Sequence, residues 1–176
     1  MALTLIATVG GIDSNSYNTL AEIQAYMGTK YYGSAFLILS ETEQIQIAIE
    51  CTRLIDAYFS FGGYITNTSP RQALEFPRTY LYERDGTAVD SQIIPVNVKN
   101  ALCEQMLYFS ATNPISPVYN KYNSVKVGKG AVAVEYNQNL TYKTINSIVS
   151  AMLMYYGSPV RNATGGTLNT AIAERL

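Results

Sequence analysis

Apolar positions recur along this chain with two periods. Leu20, Ile23 and Met27 fall on one helical face. Ile45, Ala48, Ile49, Thr52, Ile55 and Phe59 fall on a second, and Val98, Leu102, Met106 and Phe109 on a third. Spacings of three and four are what a helix needs to bury one stripe and leave the other face wet. A further run, Ile145, Ile148, Val149, Met152 and Leu153, predicts a helix over 141–156. Elsewhere the period is two. Leu3, Leu5, Ala7 and Val9 alternate with other residues before Gly10-Gly11, which predicts a first strand or extended arm over 1–12. Val125–Val127 and Ala131–Tyr136 flank Gly128-Lys129-Gly130 and predict a hairpin, with Val132 and Val134 on one face and Ala133 and Glu135 on the other.

The polar residues punctuate this pattern. Thr19 with Glu22, and Ser40 with Glu43, have capping-box spacing, in which a hydroxyl and a carboxylate each satisfy one free N–H at a helix start. They open helices that Gly28 and Gly62-Gly63 should stop, the second spanning about 41–60. Ile94-Pro95 opens the next helix, with Pro95 at the first helical position, where its missing N–H costs nothing. Between these helices, Phe76-Pro77 predicts a bend, because the residue before proline avoids the α region. Thr79–Arg84 and Thr87–Val89 flank the turn signal Asp85-Gly86. The fold expected is mainly α: a small bundle of about four helices, one or two β-hairpins, and extended N- and C-terminal arms. It forms one domain, with an arm over 1–13, a core over 14–156, and a Gly/Asn/Thr-rich arm over 157–176.

Composition changes this picture in one respect. Charged residues are 14% of the 176, against roughly 25% in an ordinary soluble domain. There are 15 Tyr and no Trp. A surface poor in charge and rich in tyrosine is suited to being covered by other chains, since Tyr combines a flat apolar body with a polar tip. No segment approaches the roughly 20 apolar residues of a membrane span, so no membrane partner is expected.

The candidate chemistry is mostly negative. With no histidine, the Ser-His-Asp and Cys-His nucleophile systems, HExxH zinc sites and imidazole acid–base catalysis are excluded. Cys51 and Cys103 read as buried free thiols. Asp85, Asp90 and Glu83 lack the spacing of an EF-hand loop, and Gly128-Lys129-Gly130 lacks the flanking residues of a phosphate loop. No enzyme, cofactor or metal is expected. One cluster needs weighing for nucleic acid. Lys121, Lys126, Lys129 and Lys143 surround the hairpin, with Tyr122, Tyr136 and Tyr142 among them. Cations and aromatics are the ingredients of a single-strand groove. Against this, the whole chain carries 12 Lys and Arg to 13 Asp and Glu, so solvated lysines on a hairpin edge are the favoured reading.

Five stretches, in order over about residues 13–156, resemble a bacteriophage head–tail adaptor (connector) family. They are Ser14-Asn-Ser-Tyr17 with Thr19–Glu22 and Tyr26; Cys51–Asp56; Gln72–Arg78; Ile94-Pro95 leading to Val98, Lys99 and Ala101; and Ser124–Gly128 before a strand ending at Tyr136. Phe76 stands where that family usually has Trp. Some members carry a DnaT-like single-strand-DNA-binding label. The resemblance implies a virion structural protein at the capsid neck: a homo-oligomeric, dodecameric ring under the portal protein. Such a ring extends the DNA channel, passes double-stranded DNA without reading sequence, and offers a platform to the tail, a nozzle or a second adaptor. In related connectors a C-terminal arm docks on the portal. Here that arm would use Arg161, Leu168, Ile172, Arg175 and Leu176. Phe76, Pro77, Arg78 and Pro95 are expected to pin the connector loop, with Arg78 making a charge-assisted bond within the subunit or to a neighbour, or else facing solvent. The alternative is a single-stranded-DNA-binding accessory protein using Lys121, Lys126, Lys129 and Lys143.

Overall fold

The computed structural model describes residues 3–111 and 144–160, together with the backbone of two strands at Ser124–Gly128 and Ala131–Glu135. Its elements, in chain order, are α1 (Leu20–Gly28), α2 (Ser34–Leu37), α3 (Glu41–Tyr58), β1 (Phe59–Phe61), β2 (Tyr64–Ile65), β3 (Arg78–Thr79), α4 (Val96–Ala111), β4 (Ser124–Gly128), β5 (Ala131–Glu135), α5 (Ser147–Leu153) and β6 (Gly157–Pro159). The protein is mainly α with small antiparallel strand pairs, as the apolar periodicity predicts.

Both capping boxes form. The Thr19 hydroxyl accepts from Glu22 N while the Glu22 carboxylate accepts from Thr19 N at 2.7 Å. Ser40 and Glu43 make the same reciprocal pair, closing at 2.9 Å. Against the opposing pull of burial, the hydrogen bond from Lys99 and then those from Thr19 hold the Glu22 carboxyl below its ordinary range, and the hydrogen bonds from Ser40 hold Glu43 low. α4 is the central helix. Residues 101–106 are all buried, so it touches protein on several sides and lies against α1, α3 and α5. Its two buried polar residues are fully engaged. Glu104 accepts from the Tyr26 hydroxyl and from Lys30 Nζ, each at 2.7 Å. Gln105 donates to Thr144 O at 2.8 Å and accepts from Asn146 N at 3.1 Å, which fixes the start of α5.

Several expectations are corrected. Of the strand or extended arm expected over 1–12, the strand does not form over residues 3–12. They run beside the Ser14–Asn18 loop, where Asn15 Oδ1 accepts from Ile6 N at 2.7 Å and replaces a ladder partner. The second helix ends at Tyr58, and Gly62-Gly63 instead turns the chain from β1 to β2. Gly63 has φ +65, and a Cβ there would sit 2.1 Å from Thr79 O, so only glycine fits. Pro95 lies one residue before α4, and its carbonyl accepts from Lys99 N at 3.2 Å, the first bond of the helix. The Asp85-Gly86 turn forms with Gly86 at φ +84, but its arms share a single bridge, Tyr82 to Ala88. α2 was not foreseen. α5 begins at Ser147, and Ile148, expected inward, is exposed. The chain stays tied to the body beyond Tyr156, since β6 pairs antiparallel with β1, Phe59 opposite Pro159. Cys51 and Cys103 are buried and unbridged, and burial pushes the Cys103 thiol up to about 12. No helix among the described residues is long and apolar enough to cross a membrane.

Candidate functional site

The connector loop folds around Phe76. Its ring is buried and meets Phe61, Tyr17 and Tyr156 edge-on, with centroids 4.9, 6.0 and 6.2 Å away. Such T-shaped contacts place the positive edge of one ring on the negative face of another. The Phe76-Pro77 peptide is cis, so the bend expected there is present. Gln72 ties the loop to itself, donating to Leu74 O at 2.8 Å and Pro77 O at 3.0 Å.

Arg78 is settled as an internal residue. It is 8% exposed, and its guanidinium donates to Gly62 O at 2.6 Å, Gly63 O at 3.1 Å and Phe61 O at 3.2 Å. Its remaining nitrogen pairs with the Glu75 carboxylate at 2.5 Å. One cation thus satisfies three carbonyls of the β1–β2 turn, which only the planar five-donor fork of arginine can do. Beside it, Asp56 accepts from the Tyr17 hydroxyl and, at 3.3 Å, from Glu75 N. Burial pushes the Asp56 carboxyl up to about 7, against the pull of these hydrogen bonds. The Tyr17 hydroxyl is raised by burial and by the Asp56 charge. Asp56, Glu75 and Arg78 therefore lock α3, the connector loop and the N-terminal loop together. They form a structural knot.

Many other acidic and basic side chains of the described residues are also engaged. Asp85 and Asp90 accept from the backbone two residues on, at 2.9 and 2.8 Å, as turn-forming aspartates do. Glu83 accepts from the Tyr156 hydroxyl at 2.7 Å. No group of three metal-ligating residues occurs among the described residues. Six Lys and Arg side chains are described: Lys30, Arg53, Arg71, Arg78, Arg84 and Lys99. Four of them pair with carboxylates, at 2.5–2.7 Å. Hydrogen bonding to Glu104 raises the Lys30 ammonium well above its ordinary value. Arg84 lies over the Tyr155 ring, 5.7 Å from its centroid.

Several aromatic and aliphatic side chains of the described body are also exposed. Tyr31 and Tyr32 are 89% and 78% exposed, and Ile38 is 84% exposed beside them. Tyr31 and Tyr32 border a groove of about 720 Å³ between the α1–α2 corner, α3 and the end of α4. Tyr64 and Tyr80 form a second exposed pair, centroids 6.1 Å apart, with Tyr80 at a left-handed φ of +58. No sequence signal marks these tyrosines as exposed, because tyrosines at Tyr17 and Tyr156 are core residues.

Of the four lysines weighed for nucleic acid, Lys126 lies in β4; Lys121, Lys129 and Lys143 lie outside the described residues. So do the proposed arm residues Arg161, Leu168, Ile172, Arg175 and Leu176. Their charges still tell something that the chain-wide balance conceals. Residues 1–111 carry six basic and eleven acidic side chains, while residues 112–176 carry six basic and two acidic.

A family model described as "Putative DnaT-like ssDNA binding protein" matches residues 1–174. The chain belongs to this DnaT-like family. No curated protein and no solved structure matches it. The DnaT-like assignment spans the body, the hairpin and nearly all of the C-terminal segment, and it names no adaptor.

Proposed function

We propose that this DnaT-like chain is a structural head–tail adaptor of a phage virion. Its helical body packs against neighbouring copies in a ring, and its lysine-bearing segment faces the DNA that passes through. One observation carries this reading: four of the six described cations of the body are tied to carboxylates, while its exposed residues include the tyrosine pairs Tyr31–Tyr32 and Tyr64–Tyr80. Such a body is dressed for protein contact and not for phosphate. The buried Phe76–Arg78 knot supports it, since it uses the connector residues to build the subunit. The five adaptor-like stretches point the same way. The test is to mix the full chain with the portal ring from the same phage and image the product by negative stain. An adaptor adds a ring of density to the portal. A bare portal at saturating chain overturns the reading.

Single-stranded-DNA binding is the second reading, and two observations favour it. The family description names that activity, and it is the one finding that names any function. The excess of six basic over two acidic residues after position 111 gives phosphate a place to bind that the near-neutral whole chain conceals. In this reading Lys121, Lys126, Lys129 and Lys143 hold phosphates and the interleaved tyrosines stack on bases. Retention of a labelled oligonucleotide by the chain, lost on changing these lysines to glutamine, would support it.

A further inference from the structure

The groove at the α1–α2 corner has a definite chemistry. Tyr31, Tyr32, Leu39, Ile47, Leu107 and Phe109 line it, and so does Glu43. Glu41 is exposed in the same first turn of α3. Residues 31–47 carry these two acids and no base, and among the described residues neither acid is in an ion pair. Exposed tyrosine rings beside carboxylates suit a guanidinium, which lies flat on an aromatic face and meets an acid at its edge.

The tip of the β2–β3 hairpin offers such a group. Residues 67–71 are all exposed there. Over residues 57–74 the single charge is Arg71, which is in no ion pair among the described residues. The tip is held in shape from within. Thr68 bridges to Arg71, Gln72 N donates to Asn67 O at 3.0 Å, and Gln72 Oε1 accepts from Asn67 N at 3.1 Å. Asn67 Nδ2 donates to Gly10 O at 3.0 Å. A tip ordered in advance loses little freedom on docking. Tip and groove lie on different sides of α3. Glu43 and Ile47 line the groove, whereas Ile49, Thr52, Arg53 and Asp56 line a hollow with Ala73 and Leu74, at the root of the tip. At 3.6 residues per turn the two sets point about 150° apart around the helix. In one copy, α3 thus stands between them.

We propose that the hairpin tip of one copy, Pro70 and Arg71, seats in the Tyr31–Phe109 groove of the next copy. The Arg71 guanidinium lies among the Tyr31 and Tyr32 rings and pairs with the Glu41 and Glu43 margin, while Pro70 meets the apolar wall. The contact joins two different patches on different sides of the subunit, so it is head-to-tail. Repeated contacts of this kind close into a ring when the rotation allows it. The inference rests on the adaptor reading and names the surface that would build its ring.

Cysteine pairing tests it on the full chain. Cys51 and Cys103 are buried, so newly placed surface thiols react first. One preparation carries Ala35→Cys in the groove wall, and another carries Ser69→Cys at the tip; both positions are exposed. Mixing and oxidising the two should give a disulfide-linked pair on a non-reducing gel, with far less from either alone. Charge exchange, read by sedimentation, is the second measurement. Arg71→Glu and Glu41→Arg each replace an exposed side chain, so the fold is spared, and each should weaken self-association by about tenfold or more. A chain carrying both changes should recover it, because the contact again joins opposite signs. Failure to recover overturns the proposal. Oligomers without the mixed disulfide overturn this surface and leave the ring. A parent chain that stays monomeric to its highest soluble concentration overturns the surface, and a bare portal in negative stain then removes the adaptor reading as well. If the thiol of the Ala35→Cys monomer is closed to a small thiol reagent, the chain covers its own groove, and the proposal is overturned.

Discussion

The connector knot and the α1–α2 corner are both tyrosine- and phenylalanine-rich, and they do opposite things. Around Phe76 the rings of Phe61, Tyr17 and Tyr156 are enclosed, and the Tyr17 and Tyr156 hydroxyls are bonded to Asp56 and Glu83. At the corner, Tyr31 and Tyr32 stack edge-on at 4.9 Å and stand almost bare. The difference lies in what each tyrosine finds within its own chain. Where a carboxylate stands within hydrogen-bond reach, burying a hydroxyl costs little and the ring goes inside. Tyr31 and Tyr32 remain on the surface, where the same chemistry suits a partner.

The comparison is broken most sharply from the knot's side. Phe76→Ala empties the middle of four packed rings and should cost about 3–5 kcal/mol, read by denaturant unfolding. Arg78→Ala leaves three turn carbonyls without their donor and Glu75 without its cation. It should cost about 3 kcal/mol by the same measurement, and Arg78→Lys should recover only part of that.

The Asp56 contribution has a definite sign. Its folded-state carboxyl titrates near 7, above its ordinary 3.8, so the folded protein holds that proton more tightly than the unfolded chain does. The stability it gives is full below about 3.8 and is lost as pH rises to about 7. Asp56→Asn should flatten this fall, so the variant gains on the parent protein in thermal midpoint as pH rises through that window. Glu22, Glu43 and Asp85, held low by their hydrogen bonds, act oppositely and lose their contribution only in acid. The smallest effect belongs to the corner. Tyr31→Ala should move monomer stability by no more than about 0.5 kcal/mol while lowering self-association.

These contrasts mark what the sequence could and could not reveal. The long helices were legible because each carries an apolar stripe, and two announce themselves with capping boxes. The β1–β6 pair was invisible, because three-residue strands nearly a hundred positions apart leave no periodic trace. α2, with four residues, is too short to show a period. Phe76, Pro77 and Arg78 were legible as a cluster, but Arg78's role depends on three carbonyls that only the fold brings together. The charge partition at position 111 was readable from the start and is lost when charge is summed over the chain.

The most direct measurement is a titration of labelled single-stranded oligonucleotide with the full chain, followed by anisotropy over a series of salt concentrations. A ring adaptor with its body cations paired gives no saturable binding at physiological salt. Saturable binding whose logarithm falls with log salt at a slope of about −3, the release expected from four lysine–phosphate contacts on a single strand, would contradict the adaptor account and establish the DNA-binding one.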